Sequence, residues 1–434
     1  MTPEITIIGG GLAGSEAAWQ AANAGARVRL CEMRPVVKTP VHQTDHLAEL
    51  VCSNSLKSNA LTNAAGLLKE EMRRLGSLIV AAADEACVPA GDALAVDRQL
   101  FAAHITDKLS QHPNVEIVRE EVTDIDENSV HIIATGPLTS DALAQRIGQL
   151  TGQEQLSFYD AVAPTIDAST IDQNKVFKAS RYDKGEAAYL NCPFTREQYE
   201  TFFDALTQAE LSPVHEHEGK TSYFEGCLPI EVLAARGPKT LCFGPMKPVG
   251  LIDPRTGRRS WAVLQLRQEN RAATLYSMVG FQTRMKWGEQ KRVFRLIPGL
   301  ENAEFVRYGV IHRNTYIQSP QVLNDTLQMR AYPNIFFAGQ ITGVEGYVES
   351  AATGILAGRN AARWTQNQPL LTLPNTTMLG ALTDYVAHYD GKDFQPMNSN
   401  WGIVPPLTER IRDKKEKTRL MAERGLAALE PFVG

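Results

Sequence analysis

The chain has 434 residues, 43% of them hydrophobic and 21% charged, with a formal net charge of −5. That composition excludes a disordered chain and leaves room for two domains with cores of their own. No apolar run approaches the roughly 18 residues that span a bilayer, and the modest acidity does not advertise nucleic acid, although a local basic surface is compatible with it.

Glu4-Ile5-Thr6-Ile7-Ile8 reads as a short apolar strand. It enters almost at once, without room for a signal peptide, so a cytoplasmic protein with no membrane anchor is expected. The strand runs into Gly9-Gly10-Gly11-Leu12-Ala13-Gly14, a G-x-G-x-x-G turn, and then into helix-forming Ser15 to Ala22. Gly25 stops that helix, Arg27 to Leu30 reads as a second strand, and Glu32 sits at its end. Gly9 permits the tight turn, Gly11 lets a pyrophosphate approach the backbone, and Gly14 lets helix and strand touch. The exposed N–H groups of the helix face the phosphates, and Glu32 can accept both ribose hydroxyls of an adenosine. The six-residue turn alone is a weak signal. Strand, helix, second strand and acid in register make it a dinucleotide site, and the acid disfavours the 2′-phosphate of NADP.

Residues 35–63 are polar and loop-like. Leu68, Met72, Leu75, Leu78 and Ile79 share one helical face, which predicts a single helix over 67–86. A helix from Asp97 to Leu109 and a strand at Val115 to Val118 follow, and then the apolar Val130-His131-Ile132-Ile133-Ala134-Thr135-Gly136. Thr139-Ser140-Asp141 caps a helix through Leu150, and Thr195 caps one running through Glu200 to Ala209. Residues 211–300, rich in Gly, Pro and aromatics, suggest an inserted α+β domain. Ile335 to Ala338 forms an apolar strand ending in Gly339-Gln340, with a Gly-rich turn through Gly346 and a small-residue helix behind it. From Leu371 the tail is mainly helical, with a Pro-bounded loop near 396–406.

In two-domain flavoproteins the segment holding Gly339, Gln340 and Gly346 meets the flavin's ribityl chain and pyrimidine edge. With the Val130–Gly136 piece in the proper chain order, FAD is favoured over NAD. Gln340 stands where an acid is usual. No second G-x-G-x-x-G is present, so NAD(P)H would dock transiently as reductant. The expected fold is α/β: a Rossmann-like FAD-binding domain of the glutathione-reductase type in residues 1–165 and 300–434, with a smaller α+β substrate domain inserted at 166–299.

The six cysteines show no C-x-x-C and no metal-ligand spacing, so reduced thiols and no metal are expected. Cys31 and Cys242 sit in apolar strand-like runs and Cys87 follows an Ala-rich helix, all three reading as small core residues. Cys192, before Pro193, stays undecided. Cys52 precedes Ser-Asn-Ser-Leu-Lys-Ser-Asn, with polar donors and Lys57 nearby to favour a thiolate. Cys227 lies in Glu225-Gly226-Cys227-Leu228-Pro229-Ile230-Glu231, where a Gly-Cys turn can present sulfur.

Over nearly its whole length the sequence resembles the bacterial folate- and FAD-dependent tRNA (uracil-5-)-methyltransferases, the TrmFO family. The glycine fingerprint is shared with many flavoproteins. Glu49-Leu50-Val51-Cys52-Ser53-Asn54-Ser55-Leu56, the Tyr223–Glu231 run around Cys227, Met278–Thr283, His312–Ile317 and Phe337–Ser350 are far more specific. The resemblance implies that 5,10-methylenetetrahydrofolate supplies carbon, reduced flavin supplies electrons, and a T-loop uridine of tRNA is methylated. A thiolate adding at uracil C6 makes C5 nucleophilic. The resemblance places the functional thiols at Cys227, as nucleophile, and Cys52, as helper beside the flavin; the reverse assignment stays open. Tyr347 is a candidate base or ring-stacking residue. Arg255 to Ser260 with Trp261, and Arg284-Met285-Lys286-Trp287 with Lys291-Arg292, mix cations and aromatics as RNA contacts do, and Arg410 to Arg419 could add to them. The uridine lies in a folded loop and must be flipped into the pocket. Rival readings are a wobble-uridine relative, which would need a longer chain, a small-molecule FAD oxidoreductase, and a non-catalytic flavin-carrying RNA binder. Oligomeric state is not legible.

Overall fold

Two sheets, each with its own hydrophobic core, organise the computed structural model, which describes residues 4–39, 41–153, 156–183, 186–213 and 228–433. The first sheet is parallel, in the order Ile335–Phe337, Val130–Ile133, Glu4–Ile8, Arg27–Glu32, Val115–Arg119. Ile5, Ile7, Leu30 and Ile132 are wholly buried, because helices cover both faces of the sheet. From the central strand Glu4–Ile8 the chain first builds to one side and then returns to the other. Strand order therefore reverses beside Ile8, and the crevice at the carboxyl ends of these strands is where such sheets bind ligands.

The helix Leu12–Asn23 rises from that crevice and packs along the 19-residue helix Tyr347–Thr365. The small residues of the second helix make this possible. A Cβ on Gly354 would stand 2.3 Å from the Ala13 carbonyl oxygen, and one on Gly358 2.4 Å from that of Ala17.

The second sheet is antiparallel: Phe177–Ala179, Tyr189–Phe194, Ala262–Gln268, Leu275–Met278, Thr165–Asp167, Phe305–Arg307. Its strands come from between Thr165 and Arg307, and its core is aromatic, with Phe202, Phe281 and Phe294 wholly buried. The strand Ile311–Tyr316, paired antiparallel with Leu156–Ala161, carries the chain back toward the parallel sheet. The molecule is thus a mixed α/β protein with a Rossmann-like parallel sheet and an additional antiparallel-sheet region.

Several local expectations hold. Asp97 caps Arg98–Ser110, and Thr195 makes a full capping box with Gln198 at the start of Arg196–Thr207. Others need correction. The helix expected over 67–86 is two, Ala64–Arg74 and Leu78–Glu85. Gly76 takes φ +71° and Ser77 caps the second helix through Val80 N–H, so a stop and a start lie inside an unbroken apolar face. Cys87 is exposed rather than core, since it opens a two-residue strand in which Val88 turns inward. Cys242 lies in the short helix Thr240–Phe243, not a strand, and is half-buried. Cys192 is fully buried within Tyr189–Phe194, where burial pushes its thiol far up and leaves it inert. The tail forms Met378–His388 and Lys414–Leu429, with the irregular stretch between them broader than expected. Arg419 in the last helix bonds Glu416 and Glu423, so the acids of the basic tail are spent on their own helix. Among the described residues no helix is long and apolar enough to cross a membrane.

Candidate functional site

A cleft of about 1020 Å³, open solvent included, lies over the carboxyl ends of the parallel strands. Gly9, Gly11, Leu12, Ala13, Glu32, Gly339, Gln340 and Tyr347 all line it, from four separate stretches of sequence. Gly11 is the N-cap of Leu12–Asn23, with no side chain closing that helix end. The first N–H groups of the helix have no intrahelical acceptor and face the cleft with the positive end of the dipole. A Cβ built on Gly11 meets nothing within 4 Å, so the space beside it is open for a ligand. The other glycines of the turn face inward. Gly14 sits so tightly beneath the Gly9 carbonyl that a Cβ would stand 1.8 Å from its oxygen. Gly10 spends its N–H on Glu32 Oε2 at 2.9 Å.

Glu32 anchors a charged cluster at one end of the cleft. Its Oε1 accepts from the Arg34 backbone N–H and from Arg34 Nε, at 3.0 and 2.8 Å. Burial raises the carboxyl, but Arg34 and the Gly10 amide outweigh burial and hold it below the usual carboxylate range. Oε2, with the Gly10 amide as its one donor, keeps acceptor capacity for a ribose hydroxyl. Arg34 Nη1 also reaches Glu49 at 3.1 Å, and His42, hydrogen-bonded to Thr39, lines the same wall. Burial, and then Arg34, push the His42 imidazole down to about 4.

At the opposite wall, Gln340 donates its amide to Glu345 at 2.6 Å. Gly346, at φ +115°, is the N-cap of Tyr347–Thr365, next to Glu349 and Lys57, which pair at 2.7 Å. Tyr347 links this wall to the Cys52 loop: its phenol oxygen accepts the Cys52 N–H at 2.6 Å. Burial, with Cys52 beside it, pushes the phenol well above its ordinary range, so it is held protonated.

Three arginines grip the same loop. Arg98 donates to the carbonyls of Leu50 and Cys52, at 2.6 and 2.9 Å. Arg307 donates to Val51 and Cys52, both at 3.1 Å. Arg267 donates to Asn54 Oδ1 and Ser53 Oγ, at 2.7 and 2.8 Å. Buried Glu269 pairs with Arg98, and burial notwithstanding, Arg98 keeps it ionised. Cys52 is partly exposed, with its sulfur 3.8 Å from the Ala161 carbonyl, and its neighbour Val51 lines the cleft.

The structure therefore brings Tyr347, Glu32 and the glycine turn around one cleft, with Cys52 joined to it through Val51 and the Tyr347 phenol. Cys227 lies outside the described residues, as does the Tyr223–Cys227 part of its motif. Sequence reading missed Arg34, His42 and Glu49, and the Arg98, Arg267, Arg307 and Glu269 network. One signal for the network was available, since Arg267 and Glu269 alternate at the end of the apolar run Ala262–Leu266.

A G-x-G-x-x-G turn at a switch point, an acid at the second strand's end and a second helix N-terminus on the same cleft define a Rossmann-type dinucleotide-binding protein. Residues 4–369 match the family model described as "Glucose inhibited division protein A". Proteins named methylenetetrahydrofolate–tRNA-(uracil-5-)-methyltransferase TrmFO are similar throughout. The one from Brevibacillus brevis is 62% identical over 430 residues, covering 99% of this chain and 98% of its own. The one from Enterococcus faecalis is 62% identical over 426 residues, covering 98% of each. Among solved structures, Aquifex aeolicus GidA superposes with a TM-score of 0.70 at 19% identity, over 98% of this chain and 74% of that one, a likeness of fold. The chain belongs to the glucose-inhibited division protein A family and, within it, to the TrmFO methyltransferases.

Proposed function

We propose that this protein methylates C5 of the T-loop uridine in tRNA, with 5,10-methylenetetrahydrofolate as carbon donor and reduced FAD as reductant. The observation that carries the reading is the Cys52 loop fastened against the dinucleotide cleft through Tyr347, in a chain that matches TrmFO relatives over almost its full length.

The cleft suits FAD on its own terms: the open position beside Gly11, the bare helix N-terminus and the ionised Glu32 match a pyrophosphate and a ribose. Gly9, Gly11, Leu12 and Ala13 would hold the pyrophosphate, Glu32 the adenosine ribose, and Gly339 and Gln340 the ribityl chain. Gly10, Gly14 and Gly346 shape the backbone around them. Bound FAD, reduced by NAD(P)H that visits transiently, supplies the hydride that completes the methyl group. Cys227 is assigned the attack on uracil C6, which makes C5 nucleophilic, and Cys52 the helper role beside the flavin. Tyr347 and the arginines fix the peptide that carries Cys52, so the thiol is pre-positioned rather than recruited. A protonated phenol suits this clamping role better than that of a base. Residues 166–299 would form the domain that meets tRNA, in a cytoplasmic enzyme.

The test is incubation of unmodified tRNA with NAD(P)H and labelled methylenetetrahydrofolate, followed by nucleoside analysis. Labelled 5-methyluridine is expected, and its absence with flavin-replete protein would end the reading. In the same assay Cys227→Ser should lose product while keeping the flavin spectrum.

A further inference from the structure

Trp287 opens the helix Trp287–Phe294 and is 62% exposed, among the largest apolar surfaces the described residues present to solvent. It is not a loose side chain. Its indole stacks on Tyr308, with ring centroids 5.4 Å apart and planes 13° from parallel. Tyr308 stacks in turn on Phe305, at 5.5 Å and 26°. Phe305 meets Phe294 at 6.2 Å, and Phe294 meets Phe281 at 5.8 Å, both wholly buried. A column of rings thus runs from the core of the antiparallel sheet to the surface and ends on a rigid indole.

The middle of the column is joined to the site already described through the chain. Arg307 stands between Phe305 and Tyr308 in the chain, and its guanidinium holds the carbonyls of Val51 and Cys52. One helical turn beyond Trp287, exposed Lys291 has no acidic partner among the described residues. A fixed aromatic face beside an exposed cation offers what an unpaired nucleotide needs: a surface for its base and a charge for its phosphate.

We propose that Trp287 is a stacking platform for a nucleobase of the RNA loop, holding the substrate beside the Cys52 loop while the target uridine is flipped. This rests on the tRNA-methylating reading above. Exposure on the outer surface, with a neighbouring cation, favours an RNA base over the pterin of the folate.

The test is Trp287→Ala and Trp287→Phe in the full flavin-loaded chain, with tRNA Kd, folate KM and saturated kcat measured separately. Stacking on an aromatic is worth about 1–3 kcal/mol per base, so Trp287→Ala should weaken tRNA binding by about fivefold or more. Trp287→Phe should recover most of it, with folate KM and kcat near wild type. A tRNA Kd within twofold of wild type in Trp287→Ala overturns the proposal, as does a change confined to folate KM. Wild-type protein that binds no tRNA defeats the functional reading itself, which separates the two failures.

Discussion

Gly11 and Gly14 share a motif but do opposite things. Gly14 is locked against the Gly9 carbonyl, whereas Gly11 faces open space at a φ of −73° that any residue can adopt. Gly11→Ala should leave the melting temperature of the flavin-free protein unchanged or slightly raised, because alanine narrows the unfolded ensemble. FAD affinity should fall at least tenfold, read by flavin fluorescence on titration; undiminished affinity would mean the cofactor does not sit there. His42 makes a second residue-scale prediction. Its folded imidazole lies near 4 and its unfolded one near 6.5, driven by burial and then by Arg34. Its contribution to stability is complete above pH 6.5. As pH falls from 6.5 toward 4 the unfolded chain takes a proton that the fold refuses, and stability is lost. His42→Gln should flatten that part of the stability–pH curve by roughly 2 kcal/mol, checked by urea unfolding at pH 5 and 7.5; parallel curves for the two proteins would count against it.

Between elements, the closest tolerance is the crossing of Leu12–Asn23 and Tyr347–Thr365. The obstacles to a Cβ at Gly354 are backbone atoms of Ala13, which cannot swing aside as a side-chain tip can. Gly354→Val should therefore cost about 1–3 kcal/mol or more and displace the helix end that faces the cleft. Purified protein should carry less flavin and melt lower, and a variant with full flavin content would show that the crossing is not what positions that helix end. The small-residue character of this helix was plain in the sequence, as was the whole strand-turn-helix-strand start. The break at Gly76 and Ser77 was written there too, but the continuous apolar face masked it, because periodicity reports which side is buried and not whether the backbone is unbroken.

At the scale of the molecule, the two sheets meet through charged groups rather than through an apolar seam alone. Arg98 belongs to a helix of the parallel-sheet region and Glu269 follows a strand of the antiparallel sheet. Arg267 reaches Ser53 and Asn54, and the Asn54 amide donates to the Gln268 carbonyl at 2.9 Å. Removing one partner of such a buried pair leaves the other charge uncompensated. Arg98→Ala should cost about 3–5 kcal/mol and loosen the Cys52 loop, whose Leu50 and Cys52 carbonyls would each lose a donor. Chemical unfolding and the methylation assay would check this, and a loss under 1 kcal/mol with full activity would contradict it. In the double variant Arg98→Ala with Glu269→Ala, part of the stability should return while methylation stays low, since the Leu50 carbonyl remains without its donor and that of Cys52 keeps only Arg307.

The dinucleotide unit and its carboxylate were legible without coordinates, because they are local: strand, turn and helix lie within some thirty residues, and each glycine's role follows from spacing. Folding alone set the Cys52 loop between Tyr347 and three arginines. Those partners lie up to 295 positions away along the chain, and a hydrogen bond to a backbone carbonyl leaves no mark on the residue that accepts it. The aromatic column under Trp287 is of the same kind, since stacking depends on where rings come to rest, which composition alone does not encode.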